Sequence, residues 1–170
     1  MKKLVLTLLI TLSTTILAKT PESLFGVYIN DNVLDYVTQK ELKSKRRDKA
    51  RGFYGLRLKN PPVSNKDYSD KLYVTFDKNN KIAHIHSQKN FQNSETCEKV
   101  EYDVRKALEN KYNIEFVRNS NTEYGFQKWV ENVLIHTQCG VFGDDKTTLF
   151  ITLWTKKYHE KYNEYLDSKI

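Results

Sequence analysis

The segment KIAHIHSQ, residues 81–88, places two imidazole side chains two positions apart, at His84 and His86. Side chains at positions i and i+2 of a β-strand point to the same face, so the two imidazoles would be able to bind one metal ion. Zinc needs a third and usually a fourth ligand, and His136 is a candidate because Cys139 follows it closely. One hypothesis is therefore a metal-handling protein that uses His84, His86 and His136.

The turn before these histidines opposes that hypothesis. Alternating apolar residues and the polar segment 77–80 predict a hairpin over residues 72–87 with a four-residue loop. This register pairs, in order, Lys71 with His86, Leu72 with Ile85, Tyr73 with His84, and Val74 with Ala83. It gives one apolar face, made of Leu72, Val74, Phe76, Ala83 and Ile85. Both histidines then lie on the other face, with an ammonium group beside His86 that competes with a cation. A five-residue loop would instead place His84 among core residues. The sequence therefore favours neither a metal nor a cofactor.

The two cysteines, Cys97 and Cys139, form an even count, and the ends of the chain indicate export. An oxidising compartment favours one disulfide between them, with a free or metal-binding thiol as the alternative. Cys97 lies on the apolar stripe of a helix over 95–111, and Cys139 ends a strand. The disulfide therefore predicts that the start of this helix lies beside the end of that strand.

The N-terminus has the pattern of a secretory signal peptide. Lys2 and Lys3 precede the apolar stretch Leu4–Leu17, and the small residue Ala18 follows it. We expect residues 1–18 to be cleaved and residues 19–170 to form a single domain. The alternative, a permanent anchor, is disfavoured because a membrane span needs roughly 20 apolar residues. Cleavage would lower the net charge from +7 to +5, because two lysines leave with the signal.

The pattern of the remaining chain predicts an α+β fold. Strands near 24–29 and 52–58 join two hairpins, 72–87 and 129–155, in a mostly antiparallel sheet. Two main helices, 95–111 and 156–168, carry apolar stripes that pack on this sheet. The predicted Cys97–Cys139 disulfide crosslinks helix and sheet.

A basic run over residues 40–51 and the many aromatic side chains suggest a recognition surface. The run is suited to contact with phosphate or carboxylate groups, although such runs also serve as solvated helix edges. Aromatic residues are enriched at interfaces, although helices often cover them. The candidate contact surface consists of Tyr73, His84, Lys43, Arg46 and Arg47.

These features favour a small exported binding or interaction protein of the bacterial cell envelope, periplasmic or secreted, with an anionic envelope or extracellular partner. Export and an excess of lysine over arginine argue against nucleic acid, and no stable membrane span is expected after cleavage. Catalysis is disfavoured because the sequence contains no G-x-S-x-G, H-E-x-x-H or P-loop pattern. The alternatives are a hydrolase-like envelope enzyme with a site assembled from distant residues, and the metal-handling protein.

The signal peptide gives a first testable prediction. When the full chain is expressed in a bacterium with a general secretion pathway, we expect the exported protein to begin at Lys19, since Ala18 is the small residue after the apolar core. Intact-mass spectrometry of the periplasmic and extracellular fractions measures this directly. A chain that keeps Met1 and stays in the membrane pellet would establish the anchor instead.

Overall fold

The computed structural model describes residues 22–118, 125–141 and 146–169. The predicted signal segment 1–18 and the Asp144-Asp145 pair lie outside the described residues. The protein is an α+β structure built on a large antiparallel sheet, which confirms the predicted fold class. Among the described residues, no helix combines the length and the apolar character needed to cross a membrane.

Ten strands form two sheets. In chain order they are β1 Ser23–Leu24, β2 Val27–Tyr28, β3 Arg46–Arg47, β4 Phe53–Leu58, β5 Lys71–Asp77, β6 Ile82–Phe91, β7 Val117–Arg118, β8 Gly125–Val130, β9 Val133–Val141 and β10 Thr147–Thr155. The helices are α1 Gln39–Leu42, α2 Ser94–Tyr112 and α3 Lys156–Asp167, with a 3-10 turn at Val33–Asp35. The large sheet has the order β3-β4-β5-β6-β10-β9-β8-β7, and β1 pairs only with β2. Strands β6 and β10 therefore lie at the centre of the large sheet.

One face of the sheet packs against α2 and forms the main apolar core. Asn93 caps the helix by accepting a hydrogen bond from the backbone of Thr96, and Asn113 ends it in the left-handed conformation. The buried Cys97 in the first turn is joined to Cys139 of β9, which confirms the predicted disulfide. The start of α2 is therefore covalently fixed to a central part of the sheet.

The opposite face of the sheet carries α3. Thr155 caps this helix, which begins directly after β10 without a connecting loop. Tyr158 is 2 % exposed and packs with Ala50, Phe53 and Ala83 in a second, smaller cluster. Because α3 covers only part of this face, the sheet remains open beside it.

The 72–87 hairpin exists, but its predicted register is wrong. The loop spans five residues, so that Phe76 pairs with Ile82, and Tyr73 pairs with His86 instead of His84. A β-bulge follows, in which Ala83 has no partner and the pairing resumes at His84. The extra residue restores the alternation, so Ile85 still faces the core and His84 still faces away. Ala83 is displaced from the predicted apolar face and packs against Tyr158 instead.

Two other strand predictions need correction. Residues 24–29 do not form one strand of the large sheet. Phe25 and Gly26 both have positive φ angles, and this turn folds β1 back onto β2. The segment 129–138 is also not continuous, because a turn at Glu131-Asn132 separates β8 from β9. Glu131 adopts a φ of 52°, a conformation that is uncommon for residues other than glycine and that the sequence therefore does not predict.

The disulfide gives a stability prediction. Cys97 and Cys139 are 42 residues apart, and a crosslink of that span removes loop-closure entropy from the unfolded chain. We expect the Cys97→Ser/Cys139→Ser variant to lose about 4 kcal/mol of unfolding free energy, measured by urea denaturation. Wild-type protein under reducing conditions provides the matched comparison. Equal stability of the oxidised protein and the variant would show that the crosslink does not constrain the fold.

Candidate functional site

A cleft of about 720 Å³ opens on the α3 side of the sheet, where β3, β4, β5, β6 and α3 meet. Its volume falls in the range of small-molecule sites. We call it the basic cleft. The side toward the sheet edge carries Arg46, Arg47, Arg57 and Lys59, and the side toward the sheet centre and α3 carries Tyr73, His84, His86, Trp154, Tyr158 and Tyr162.

The basic side of the cleft is built by the edge of the sheet. Arg46 pairs with Gly55 of β4, while Arg57 lies opposite Tyr73 of β5, and both basic side chains are exposed. Among residues 22–118, 125–141 and 146–169, the guanidinium groups of Arg46, Arg47 and Arg57 form no ion pair. Arg46 and Arg57 therefore share the cleft face of the sheet, while Arg47 pairs with Tyr54 at the alternate position of β3, and all three line the cleft without an ion pair among the described residues.

Asp48 is the one acidic residue among those lining the basic cleft. Its Oδ1 accepts a hydrogen bond from the Tyr158 hydroxyl at 2.9 Å and another from the backbone N–H of Ala50 at 2.9 Å. The carboxylate is thus engaged in holding α3 and the 48–50 turn together. Because this single carboxylate stands against Arg46, Arg47, Arg57 and Lys59, the cleft lining keeps a net positive charge.

The aromatic side of the cleft is a continuous set of rings. The Trp154 ring lies 4.6 Å from His84, 5.3 Å from Tyr158 and 5.3 Å from Tyr162, measured between centroids. The Trp154 indole N–H donates to Thr152 at 2.7 Å, which fixes the orientation of the ring. Trp154, Tyr162 and Tyr73 are half-buried, so each offers part of a ring to the cleft. Such partly exposed aromatic side chains are typical of recognition surfaces.

His84 lies at the base of the aromatic side and is only 9 % exposed. The Tyr158 hydroxyl donates to Asp48, and burial holds the pKa of Tyr158 well above its ordinary value. The Thr75 hydroxyl hydrogen-bonds Nδ1 of His84 at 3.3 Å, and the direction of this bond follows the tautomer of the ring.

The other ring nitrogen of His84 has no partner in the described part of the chain. Nε2 is the one buried side-chain nitrogen or oxygen of the described residues that lacks a hydrogen bond. Burial, reinforced by the neighbouring His86, holds the pKa of His84 well below its ordinary value, so the ring is neutral. An unpaired buried polar nitrogen costs roughly 1–3 kcal/mol, and a hydrogen-bonding group from outside the protein would remove that cost.

His86 and His136 are also neutral near pH 7. Burial lowers the pKa of each from 6.5 to about 4, and repulsion from His136 adds to the shift of His86. The Gln88 side-chain nitrogen, which can only donate, contacts Nε2 of His86 at 2.9 Å. The ring proton of His86 therefore resides on Nδ1. The positive potential of the cleft comes from the arginines and Lys59, not from its histidines.

The structure places the residues selected from the sequence in different environments. Tyr73, His84, Arg46 and Arg47 all line the basic cleft, whereas Lys43 is exposed and does not line it. His84 is buried under α3, so it is not part of an exposed hairpin face as the sequence suggested. Arg57, Lys59 and Tyr162 were not predicted from the sequence as contact residues, and they join the cleft through strand pairing and the docking of α3. The one available signal was the basic run 40–51 preceding a strand.

The three candidate metal ligands share one face of the sheet. His84 and His86 lie 5.8 Å apart between ring centroids, and His136 lies two strands further along. Within the part of the chain that the structure describes, no three or more His, Cys, Asp or Glu side chains are grouped as metal ligands. Two of the three rings also use a nitrogen for hydrogen bonds to Thr75 or Gln88.

Comparison of the chain with protein-family models, curated proteins and solved structures found no match in any of the three. The function must therefore be argued from the cleft itself.

The buried histidines predict a loss of stability in mild acid. Between pH 6.5 and about 4 the unfolded chain binds protons at His86 and His136 that the folded chain does not bind. The unfolding free energy therefore falls as the pH drops through this window. We expect urea denaturation at pH 5.0 to give a value about 2 kcal/mol lower per histidine than at pH 7.5.

Substitution tests the assignment of this effect. His136→Phe keeps a flat ring without a titrating group and should flatten the pH dependence of stability between pH 5.0 and 7.5. His159→Phe is the control, because His159 lies on α3 and is less enclosed. An unchanged pH dependence in His136→Phe would show that this residue does not carry the effect.

Proposed function

We propose that this protein is an exported binding protein of the bacterial cell envelope, periplasmic or secreted, whose basic cleft takes up a small anionic ligand. The observation that carries the proposal is the set of three arginines that line the cleft, Arg46, Arg47 and Arg57, for which the described residues supply no ion pair, beside a row of half-buried rings. The disulfide is compatible with export to an oxidising compartment. The N-terminal sequence supports the same location.

Charge and geometry both favour an anion. The guanidinium group is planar and presents its N–H donors in a fork that matches two oxygens of a carboxylate or phosphate. Arg46 on β3 and Arg57 on β4 are exposed residues of two directly paired strands, so their orientation is set by the sheet. Lys59 follows β4 and adds a fourth positive charge to the cleft.

Binding is favoured over hydrolysis by the state of the groups in the cleft. A hydrolase needs a base or nucleophile free to react. The Asp48 oxygen that faces α3 is occupied by Tyr158 and Ala50, and Nδ1 of His84 is held by Thr75. These groups act as fixed structural parts, which suits a site that recognises a ligand without changing it.

Removal of the three arginine charges should weaken anion binding. Trp129 lies outside the cleft lining and Trp154 inside it, so Trp129→Phe leaves a tryptophan that reports on the cleft. In this background we expect citrate and inorganic phosphate to change Trp154 fluorescence saturably at constant ionic strength. Arg46→Gln/Arg47→Gln/Arg57→Gln should weaken this binding at least about 10-fold, since hydrogen bonds to charged groups contribute about 1.5–3 kcal/mol each.

The matched control removes the same charge elsewhere. Lys78, Lys99 and Lys146 are exposed and do not line the cleft, so Lys78→Gln/Lys99→Gln/Lys146→Gln has the same net charge as the arginine variant. We expect it to bind both anions as the parent does. Equal weakening in the two triple variants would mean that only net charge matters. An absence of saturable binding for every anion tested would refute the proposal.

A further inference from the structure

We infer that the ligand of the basic cleft is an anionic sugar, a hydroxylated ring that bears a carboxylate or a phosphate group. This inference rests on the proposed function and specifies its ligand. Three features of the cleft point to such a molecule: the arginines, the half-buried rings, and the unpaired nitrogen of His84. Each feature recognises a different part of the same ligand.

The spacing of these features indicates a ligand that has a charged group at one end and a ring at the other. The arginines lie on β3 and β4 at the edge of the sheet, whereas Trp154 lies on the central strand β10 and Tyr162 on α3. Strands β5 and β6 lie between β4 and β10, and adjacent strands are about 4.8 Å apart. A ligand that reaches both sides therefore extends beyond a free phosphate or acetate ion.

The aromatic side is suited to the face of a sugar ring. Tyr73 and Trp154 are half-buried and offer part of each ring to the cleft. The tilt between the neighbouring rings, 43° for Trp154 and His84, does not form a pair of parallel walls for a flat aromatic ligand. One face of a pyranose ring carries aliphatic C–H groups, and these groups pack against the face of a single aromatic side chain.

His84 adds a polar contact to the aromatic side of the cleft. Its Nε2 has no hydrogen-bond partner among the described residues, and the residue lines the cleft together with Trp154. A sugar hydroxyl both donates and accepts, so it pairs with Nε2 in either tautomer of the ring. A carboxylate such as acetate only accepts, so it pairs with one tautomer alone. The unpaired nitrogen therefore favours a hydroxylated ligand.

The test compares ligands that have either a charged group or a sugar ring with ligands that have both. The Trp129→Phe protein is titrated with glucuronate and glucose 6-phosphate, with neutral glucose, and with acetate and inorganic phosphate. We expect at least one anionic sugar to bind about 10-fold tighter than both glucose and the ring-free anion that carries its charged group. Which of the two sugars does so identifies the carboxylate or the phosphate as the charged group.

Variants assign the ring and polar contacts. His84→Phe keeps a flat ring but removes the unpaired nitrogen, and should weaken sugar binding about 10-fold while leaving inorganic phosphate within twofold. Tyr73→Leu should likewise weaken the sugar and spare phosphate, and it serves if His84→Phe does not fold, as judged by its melting temperature. Tyr102→Leu, at an exposed tyrosine of α2 outside the cleft lining, is the matched control and should bind as the parent does.

The outcomes separate the two proposals. If citrate or phosphate binds but neither anionic sugar exceeds its ring-free counterpart, the sugar inference is wrong and the anion-binding function stands. The same conclusion follows if His84→Phe and Tyr73→Leu both bind the sugar as the parent does. If no anion binds, with or without a ring, the proposed function itself fails.

Discussion

The contact on which the functional face depends is made by one residue, Tyr158. Its hydroxyl donates to Asp48 beside the edge strand, while its ring stacks on His84 of β6, with centroids 4.9 Å apart and the planes 10° from parallel. Phe53 of β4 meets the same ring edge-on at 5.1 Å. One side chain thus connects α3 to two strands, β4 and β6, and to the segment that carries Arg46 and Arg47. The basic cleft is the space that remains beside this anchor.

The face of the sheet opposite the cleft is covered by α2. On this face, the buried Glu101 accepts hydrogen bonds from Thr137 at 2.6 Å and from Arg105 at 3.2 Å. Arg105 also lies 3.9 Å above the Phe126 ring. The Glu101–Thr137 hydrogen bond and the Cys97–Cys139 disulfide each join α2 to β9. The main apolar core lies on this side, while the other face keeps rings and arginines partly open.

Much of the fold was predictable because it follows local patterns. The stripe through Cys97 specified α2, the paired cysteines joined it to β9, and the alternation around residues 72–87 predicted a hairpin in which every apolar residue of the predicted face except Ala83 faces the main core as expected. The predicted register was wrong because Ala83 forms a bulge, which the residue types in this segment do not predict. The turn between β8 and β9 was not predicted for a similar reason, since Glu131 takes a φ of 52° without being glycine or asparagine.

The cleft was only partly predictable. The basic run contained Arg46 and Arg47, and the alternation of β5 and β6 placed Tyr73 and the histidines on one face. The sequence by itself thus determined the fold class, the disulfide and which side chains leave the core, because these follow from periodicity and residue chemistry. Only the tertiary structure decided that α3 buries His84 and that Trp154 and Arg57 share one cleft. Those contacts join residues distant in the chain, and their positions depend on strand order and a bulge that local patterns do not encode.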